Sequence, residues 1–157
     1  MTPQTPTPED RLASLGLTLP DVAKPVAAYV PAVRTGDLVW TSGQLPLVGG
    51  ALDRTGKVGA EVDPDTAHAL ARVCALNALA AIRAEIGDLG LVRRVVKVVG
   101  FVASAPSFAG QPGVVNGASE LLGEVFGDAG RHARSAVGVA SLPLDAPVEV
   151  EVVVEVG

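Results

Sequence analysis

The stretch RHARSAVGVASLPLDAPVEVEVVVEVG, residues 131–157, decides the fold of this chain. It contains two apolar runs, separated by the segment LPLDAP at 142–147. In the second run valine occupies every even position from 148 to 156, and glutamate occupies three of the odd positions. Alternation of β-branched and polar residues predicts a strand with one buried face and one open face. The first run, 134–141, alternates as well, so we expect a hairpin of two strands that turns near Leu144-Asp145.

Arg134 and Glu149 are the polar residues of these strands that most suggest a function. The alternation predicts that both side chains point away from the valine-rich core side. The other residues on the face of Arg134 are small: Ala136, Gly138 and Ala140. A guanidinium above small residues has space beside it for a planar anion, and its fork of donors matches a carboxylate. For the remaining glutamates of the open face, a solvated surface is the simpler interpretation.

Composition narrows the class of protein. The chain has 157 residues, which predicts one domain with a sizeable core. Apolar residues make up 48% and the mean hydropathy is +0.40, which favours an oligomer. The net charge of −5 and the lack of a basic cluster disfavour nucleic-acid binding. No apolar stretch reaches the roughly 18 residues of a membrane span, so no membrane partner is expected.

Two further features bear on location. The first residues, MTPQTPTPEDR, lack the basic and apolar segments of a secretory signal. Cys74 is the single cysteine, so no intramolecular disulfide can form. A cytoplasmic location is therefore expected.

The order of predicted elements defines the fold class. Capping signals predict a short helix after Thr7 and a long helix from Asp63 to Gly87, and apolar spacing predicts a second long helix over 112–126. Strands are predicted at 27–34 and 38–44, weakly at 51–52, and at 92–103, ahead of the C-terminal pair. The result is an α+β two-layer sandwich, a mixed sheet with two helices on one face. The face of the sheet without helices would pack against other copies of the chain, with ligand-binding sites at the interfaces between subunits.

Metal and cofactor motifs are absent from the sequence. His68 and His132 are the only imidazoles, and neither has a partner at a ligand spacing. Cys74 falls on the apolar stripe of a helix, which predicts an inert buried thiol. The candidates that remain form a site without metal or cofactor, in which an arginine fixes a small carboxylate and a glutamate orients or deprotonates water.

Four ordered segments resemble the signatures of the RidA/YjgF family of enamine/imine deaminases. They are AAYVPAVRTGDLVWTSGQLPL (27–47), RVVKVVGFVASAPSFA (94–109), VVNGASELLGEVFG (114–127) and ARSAVGVASLPLDAPVEVEVVV (133–154). The resemblance extends over residues 25–156. It divides the chain into a tail with a short helix, 1–24, and a RidA/YjgF-like domain, 25–157.

The resemblance implies a chorismate-mutase-like fold, a homotrimer, and ligand pockets between subunits. It also implies hydrolysis of 2-enamine and 2-imine acids to 2-keto acids and ammonia, without a cofactor, as in a 2-iminobutanoate/2-iminopropanoate deaminase. By the motifs, Arg134 binds the substrate carboxylate and Glu149 positions water. The motif positions expected to bind substrate are Tyr29, Ser42, Gly43, Asn116 and Ala136.

Departures and simpler interpretations accompany this assignment. Ala136 stands where many members have cysteine, Gly138 where a glutamate is common, and the loop around 110–113 is longer, which predicts a wider pocket. Tyr29 could be a packing residue, Ser42 an ordinary strand hydroxyl, and Asn116 a helix cap.

A non-catalytic carboxylate-binding or regulatory protein is the alternative function. A ribonuclease is disfavoured by the acidic balance and the 3% aromatic content.

The predicted hairpin places Arg134 and Glu149 about five residues apart along the sheet. This is roughly 16 Å, at about 3.3 Å per residue, too far for one small ligand. We therefore expect a pocket that uses both residues to draw them from adjacent chains.

Overall fold

A five-stranded mixed sheet with helices on one face makes up the computed structural model, which describes residues 4–25 and 27–157. The strands are β1 (Ala32–Thr35), β2 (Leu38–Thr41), β3 (Leu47–Val48), β4 (Ala51–Leu52), β5 (Val92–Ala103), β6 (Ala133–Val139) and β7 (Val148–Val156). The helices are α1 (Pro8–Ser14), α2 (Pro64–Ile86) and α3 (Gln111–Phe126). The α+β class and the helix-covered sheet predicted from the sequence are confirmed.

The main sheet has the strand order β1-β2-β7-β5-β6. Strands β5 and β6 are parallel, and all other neighbours in this sheet are antiparallel. The short strands β3 and β4 form a separate two-stranded ribbon. The valine alternation thus lies in the central strand, where the even valines of β7 are buried.

Local sequence signals explain where the helices begin and end. Thr7 caps α1 in a reciprocal capping box with Asp10, and Asp63 caps α2 by accepting a hydrogen bond from the Thr66 amide. The predicted helix end at Gly87 is also confirmed, with a positive φ of 89°. Buried residues of α2 and α3 meet the even valines of β7 in one core.

The two long helices approach each other closely at Gly117. A Cβ atom at this position would overlap the backbone carbonyl of His68 on α2. Only a residue without a side chain permits this separation, so Gly117 sets how tightly α3 packs against α2.

The predicted C-terminal hairpin is wrong. Strand β5 lies between β6 and β7, pairing with β6 in parallel and with β7 in antiparallel register. Helix α3 connects β5 to β6, and such a crossover returns the chain parallel to the strand it left. Residues 143–145 then form a short 3₁₀ turn between β6 and β7.

The first two strands are shorter than predicted. Residues 27–34 were expected to form a strand, but β1 begins at Ala32, after Pro31, which has no amide hydrogen for a ladder bond. Strand β2 ends at Thr41, and Gln44 pairs separately with Val150. Tyr29, Ser42 and Gly43 therefore lie outside the strands in which they were placed.

The second face of the sheet carries no helix among the described elements. We call it the open face; it includes Val33, Trp40 and Val137, whose side chains are 52%, 50% and 44% exposed. These residues come from β1, β2 and β6, so apolar surface spans the whole width of the sheet.

In the described part of the chain, no helix is long and apolar enough to cross a membrane.

Candidate functional site

Arg134 faces the helices, which contradicts the prediction that it points away from the core side. It lies level with Val98 of β5, and Val98 is fully buried in the helix-side core. Side chains of paired residues point to the same face of a sheet, so Arg134 lies on the side of α3. Ala136 and Gly138 share this face, whereas Val137 lies on the open face.

Helix α3 holds the guanidinium of Arg134 at three points. Its Nη1 donates to Asn116 Oδ1 at 2.7 Å and to Ser119 Oγ at 3.2 Å, and its Nη2 donates to the Pro112 carbonyl at 3.3 Å. The three acceptors stand at i, i+4 and i+7, which is one face of a helix. An arginine has five N–H donors, so two remain within the described residues, enough for both oxygens of a carboxylate.

Asn116 is not a helix cap, and that interpretation is wrong. The residue that caps α3 is Gly110, and Asn116 lies in the second helical turn, where it is exposed. Its side-chain oxygen accepts from Arg134 instead. The structure therefore brings together two of the predicted site residues, Arg134 and Asn116.

Ser119 and His132 join this group, and the sequence reasoning missed both. Ser119 Oγ lies 2.9 Å from His132 Nε2, and His132 Nδ1 lies 2.6 Å from the Gly130 carbonyl. The i, i+3 spacing of Asn116 and Ser119 and the i, i+2 spacing of His132 and Arg134 could have indicated them.

Gln111 occupies the space beside Gly138 of β6. A Cβ atom on Gly138 would lie 2.8 Å from Gln111 Nε2. That nitrogen donates to Ser104 Oγ at 3.2 Å and to the Phe108 carbonyl at 2.8 Å. The first residue of α3 thus places its side chain over the small residue of β6. Ala136 packs partly buried against the core.

Glu149 lies on the open face, as predicted. It is level with Phe101 of β5, and its carboxylate lies against Gly43. Two backbone hydrogen bonds between Gln44 and Val150, of 2.8 and 3.0 Å, hold the segment after β2 against β7. Gly43 and Glu149, two of the predicted site residues, are therefore in direct contact.

Burial raises the pKa of the Glu149 carboxyl above its ordinary value, and the nearby charge of Glu151 raises it further. No ion pair to Glu149 forms within the described residues. A carboxylate without a cation partner and with a raised pKa is suited to accept a proton from water. Cys74 is fully buried, as predicted, and burial, followed by the charge of Glu149, raises the pKa of its thiol.

Ser42 precedes Gly43, and two hydrogen bonds join it to the segment that carries Tyr29. The Ser42 hydroxyl donates to the Val30 carbonyl at 2.6 Å, and its amide donates to the Pro31 carbonyl at 2.8 Å. These bonds fasten the chain that carries Tyr29 next to Gly43. The Tyr29 side chain is 46% exposed, so it is accessible to a ligand or another chain.

The site residues thus form two groups, one around Arg134 on the helix side of the sheet and one around Glu149 on the open face. We call them the arginine group (Asn116, Ser119, His132, Arg134 and Ala136) and the glutamate group (Ser42, Gly43 and Glu149). Tyr29 lies on the segment that is hydrogen-bonded to Ser42. Arg134 pairs with Val98 of β5, and Glu149 pairs with Phe101 of the same strand. These two residues of β5 are three positions apart. This is about 10 Å along the strand, and two strand spacings add about 10 Å across the sheet. One small ligand cannot contact both residues in one subunit.

Two surface grooves lie elsewhere on the chain. One, of about 680 Å³, lies between residues 20–24 and the β3–β4 ribbon, with Asn77 in its lining. The other, of about 540 Å³, is lined by Arg94, His132 and Glu155 among others. Neither groove is lined by Arg134 or Glu149. Across residues 4–25 and 27–157, no three His, Cys, Asp or Glu side chains come together as metal ligands.

Comparison with known proteins places this fold and these residues in a family. The family described as "YjgF/chorismate_mutase-like, putative endoribonuclease" matches residues 9–156. Protein TCP17 of Trypanosoma cruzi is 49% identical over 147 residues, which cover 92% of this chain and 91% of that protein. The 2-iminobutanoate/2-iminopropanoate deaminase of Escherichia coli K12 is 32% identical over 128 residues, 82% of this chain and 87% of the relative.

A solved structure agrees with the same assignment. The crystal structure of protein Atu1372, of unknown function, from Agrobacterium tumefaciens has a TM-score of 0.89 and 50% sequence identity, and it covers 96% of this chain and 92% of its own. The chain belongs to the YjgF/chorismate-mutase-like family, as its motifs predicted.

Proposed function

We propose that this protein hydrolyses 2-imino acids, and their 2-enamine tautomers, to 2-keto acids and ammonia, at sites between the subunits of a cytoplasmic homotrimer. The observation that carries this proposal is the anchored guanidinium of Arg134, which keeps two donors for a carboxylate. A relative with 32% identity bears the name of a deaminase for such substrates. In the reaction, water adds to the C=N carbon, the carbinolamine collapses, and ammonia leaves.

Arg134 would hold the carboxylate of the substrate in two hydrogen bonds. Binding both oxygens fixes the plane of the substrate, and with it the direction from which water reaches the C=N carbon. Asn116, which is exposed beside the guanidinium, would contact the same ligand.

Glu149 would accept the proton of the attacking water. Its raised pKa brings it nearer to the operating pH of a general base, because burial disfavours its charge. The carboxyl then passes this proton to the imine nitrogen, which completes the carbinolamine. As the C–N bond breaks, the hydroxyl proton of the carbinolamine moves to the same nitrogen, ammonia leaves, and the carboxylate is back in its starting form.

Assembly would bring the two groups into one site. The open face carries the glutamate group and apolar side chains across its width, so packing it against a second copy buries that apolar surface. The arginine group lies at β6, an outer strand of the sheet, where a neighbouring chain can reach it. Each site would then combine Arg134 of one subunit with Glu149 of the next.

The test measures release of ammonia from a 2-imino acid generated in the assay by an amino-acid oxidase. Wild-type protein should accelerate release over spontaneous hydrolysis, and the R134A variant should lose that acceleration while its mass in light scattering stays that of the wild type. Unchanged turnover in R134A would refute the role of Arg134.

The alternative, a non-catalytic carboxylate-binding protein, gives a different result in the same assay. Ala136 favours it, because no thiol stands at the position where many members have one. Wild-type protein would then bind 2-ketobutyrate through Arg134 but leave the rate of ammonia release unchanged. Cleavage of a single-stranded RNA that disappears in R134A would instead point to a ribonuclease.

A further inference from the structure

A hydrogen-bond chain runs from a backbone carbonyl through His132 and Ser119 to Arg134. The Gly130 carbonyl can only accept, so His132 Nδ1 must carry the proton of their 2.6 Å bond. In the neutral imidazole Nε2 is then an acceptor, and the Ser119 hydroxyl donates to it at 2.9 Å. The free lone pairs of the same hydroxyl accept from Arg134 Nη1 at 3.2 Å. The direction of each bond is thereby determined by the one before it.

The far end of this hydrogen-bond chain is closely packed. Gly130 is buried, and a Cβ atom at this position would overlap the Leu122 carbonyl of α3. Its carbonyl is therefore held by close backbone packing and not by a mobile side chain. His132 follows two residues later, immediately before β6, and both Ser119 and His132 are half-buried.

We propose that Ser119 and His132 are positioning residues that orient the guanidinium of Arg134 for the carboxylate of the substrate. This inference rests on the proposed function. Of the three acceptors around Arg134, Asn116 is exposed, whereas Ser119 is itself held by a second side chain. The Ser119 hydroxyl is thus a third acceptor for Arg134, beside Asn116 and Pro112, and its bond to His132 determines its orientation.

An anchored arginine binds an anion more tightly than a free one. A long side chain loses rotamer freedom when it is immobilised by a ligand, and this opposes binding. In this protein three hydrogen bonds already restrict the Arg134 side chain in the folded state, so it has less rotamer freedom to lose on binding. Removing the anchor should therefore weaken binding of the ground state and leave the chemical step largely unchanged.

The experiment titrates 2-ketobutyrate into the full-length protein by calorimetry and measures turnover in parallel. S119A should weaken binding about tenfold, as loss of one charge-assisted hydrogen bond does, and raise KM in proportion with kcat within about twofold. S119T, which keeps the hydroxyl, should restore most of the affinity. The variant H132F should weaken binding less than S119A.

A double mutant decides whether the two residues act through one chain. The S119A/H132F variant should bind no more weakly than S119A alone, because His132 reaches Arg134 only through Ser119. Losses that multiply in the double variant, or S119A binding as wild type does, would overturn the inference. The variant S14A is a control, since it removes the same residue type from α1, where the hydroxyl donates to the Asp10 carbonyl and not to a residue around Arg134.

A second measurement separates this inference from the proposed function. Side-chain ¹⁵N relaxation of Arg134 in ligand-free protein should show a restricted guanidinium that becomes mobile in S119A. If wild-type protein neither binds 2-ketobutyrate nor releases ammonia, the proposed function fails, and the relaxation result still decides whether Ser119 holds Arg134. Equal mobility in both proteins would refute the positioning role.

Discussion

The carboxylate of Glu149 occupies the space in which a side chain at Gly43 would begin. A Cβ atom on Gly43 would overlap Glu149 Oε1 and lie 2.7 Å from Cδ. A side chain at Gly43 would therefore push the Glu149 carboxylate out of this position, where the segment after β2 approaches β7 closely. Because Gly43 has no side chain, the carboxylate of Glu149, the proposed general base, can occupy this position.

Replacing Gly43 with alanine should displace the Glu149 carboxylate while the sheet stays folded. A shift of about 1 Å in a catalytic group can cost on the order of 100-fold in rate, so we expect kcat to fall between about 10-fold and 100-fold. Steady-state kinetics of 2-imino acid hydrolysis measures this. The G123A variant is the matched control, because a Cβ atom on Gly123 meets nothing within 4 Å. Unchanged kcat in G43A would contradict the proposed role of this contact.

Replacing Glu149 with glutamine should stabilise the fold at neutral pH and lower kcat by about 100-fold or more. The folded chain raises the pKa of this carboxyl, so it binds the proton more tightly than the unfolded chain does. Its contribution to stability is therefore complete below the unfolded pKa and is lost as pH rises through the folded pKa.

Thermal unfolding of wild type and E149Q at several pH values tests the sign of this pH-dependent contribution of Glu149 to stability. The difference in Tm should be largest near pH 7 and disappear in acid. The E155Q variant, on the same strand, serves as the control. A lower Tm for E149Q than for wild type at pH 7, with no change toward acid, would show that burial does not penalise this charge.

Two glycines of α3 should respond in opposite ways to alanine. In G117A the new Cβ overlaps the His68 carbonyl, and separating α2 from α3 should cost about 2 to 3 kcal/mol of unfolding free energy. In G123A the Cβ meets open space, and the gain in helix propensity should stabilise by about 0.5 to 1 kcal/mol. Urea unfolding measures both. Equal effects of the two changes would contradict the close helix contact.

A charge on the open face should disrupt the proposed trimer. The V137E variant places a carboxylate in apolar surface, and burying it in an interface would cost several kcal/mol. We expect a lower mass in light scattering and loss of 2-imino acid hydrolysis. The control is V48E, which adds the same charge to the exposed β3–β4 ribbon. A fully active trimer of V137E would place the subunit contacts on another surface.

Most secondary structure could be predicted because its signals are local. Thr7, Asp63 and Gly87 mark helix ends through backbone groups only a few residues away, and the structure places the ends there. The strand over 92–103 was predicted with the bounds it has, since a long apolar run between two helices has few alternatives.

The neighbours of strands could not be predicted in the same way. Alternation states which residues of one strand share a face, but it does not state which strand lies beside it. For this reason the C-terminal pair was wrongly read as a hairpin, and Arg134 was assigned to the open face. The insertion of β5 between β6 and β7 decides both points.

The same distinction between local and long-range information applies to the residues of the candidate site. The motifs named seven candidate site residues, because residue type and order along the chain are enough to recognise a family: Tyr29, Ser42, Gly43, Asn116, Arg134, Ala136 and Glu149. They did not indicate that Ser119 and His132 hold the arginine, since these residues come from α3 and from the loop before β6.

The sequence by itself determined most of the helices and strands, the buried valines of β7, the family, and the seven candidate site residues that its motifs name. The tertiary structure decided that Arg134 and Glu149 lie on opposite faces, which side chains surround each, and that the pKa of Glu149 is raised. The physical reason is range: capping and periodicity act over a few residues, whereas strand order, burial and helix contacts join residues far apart in the chain.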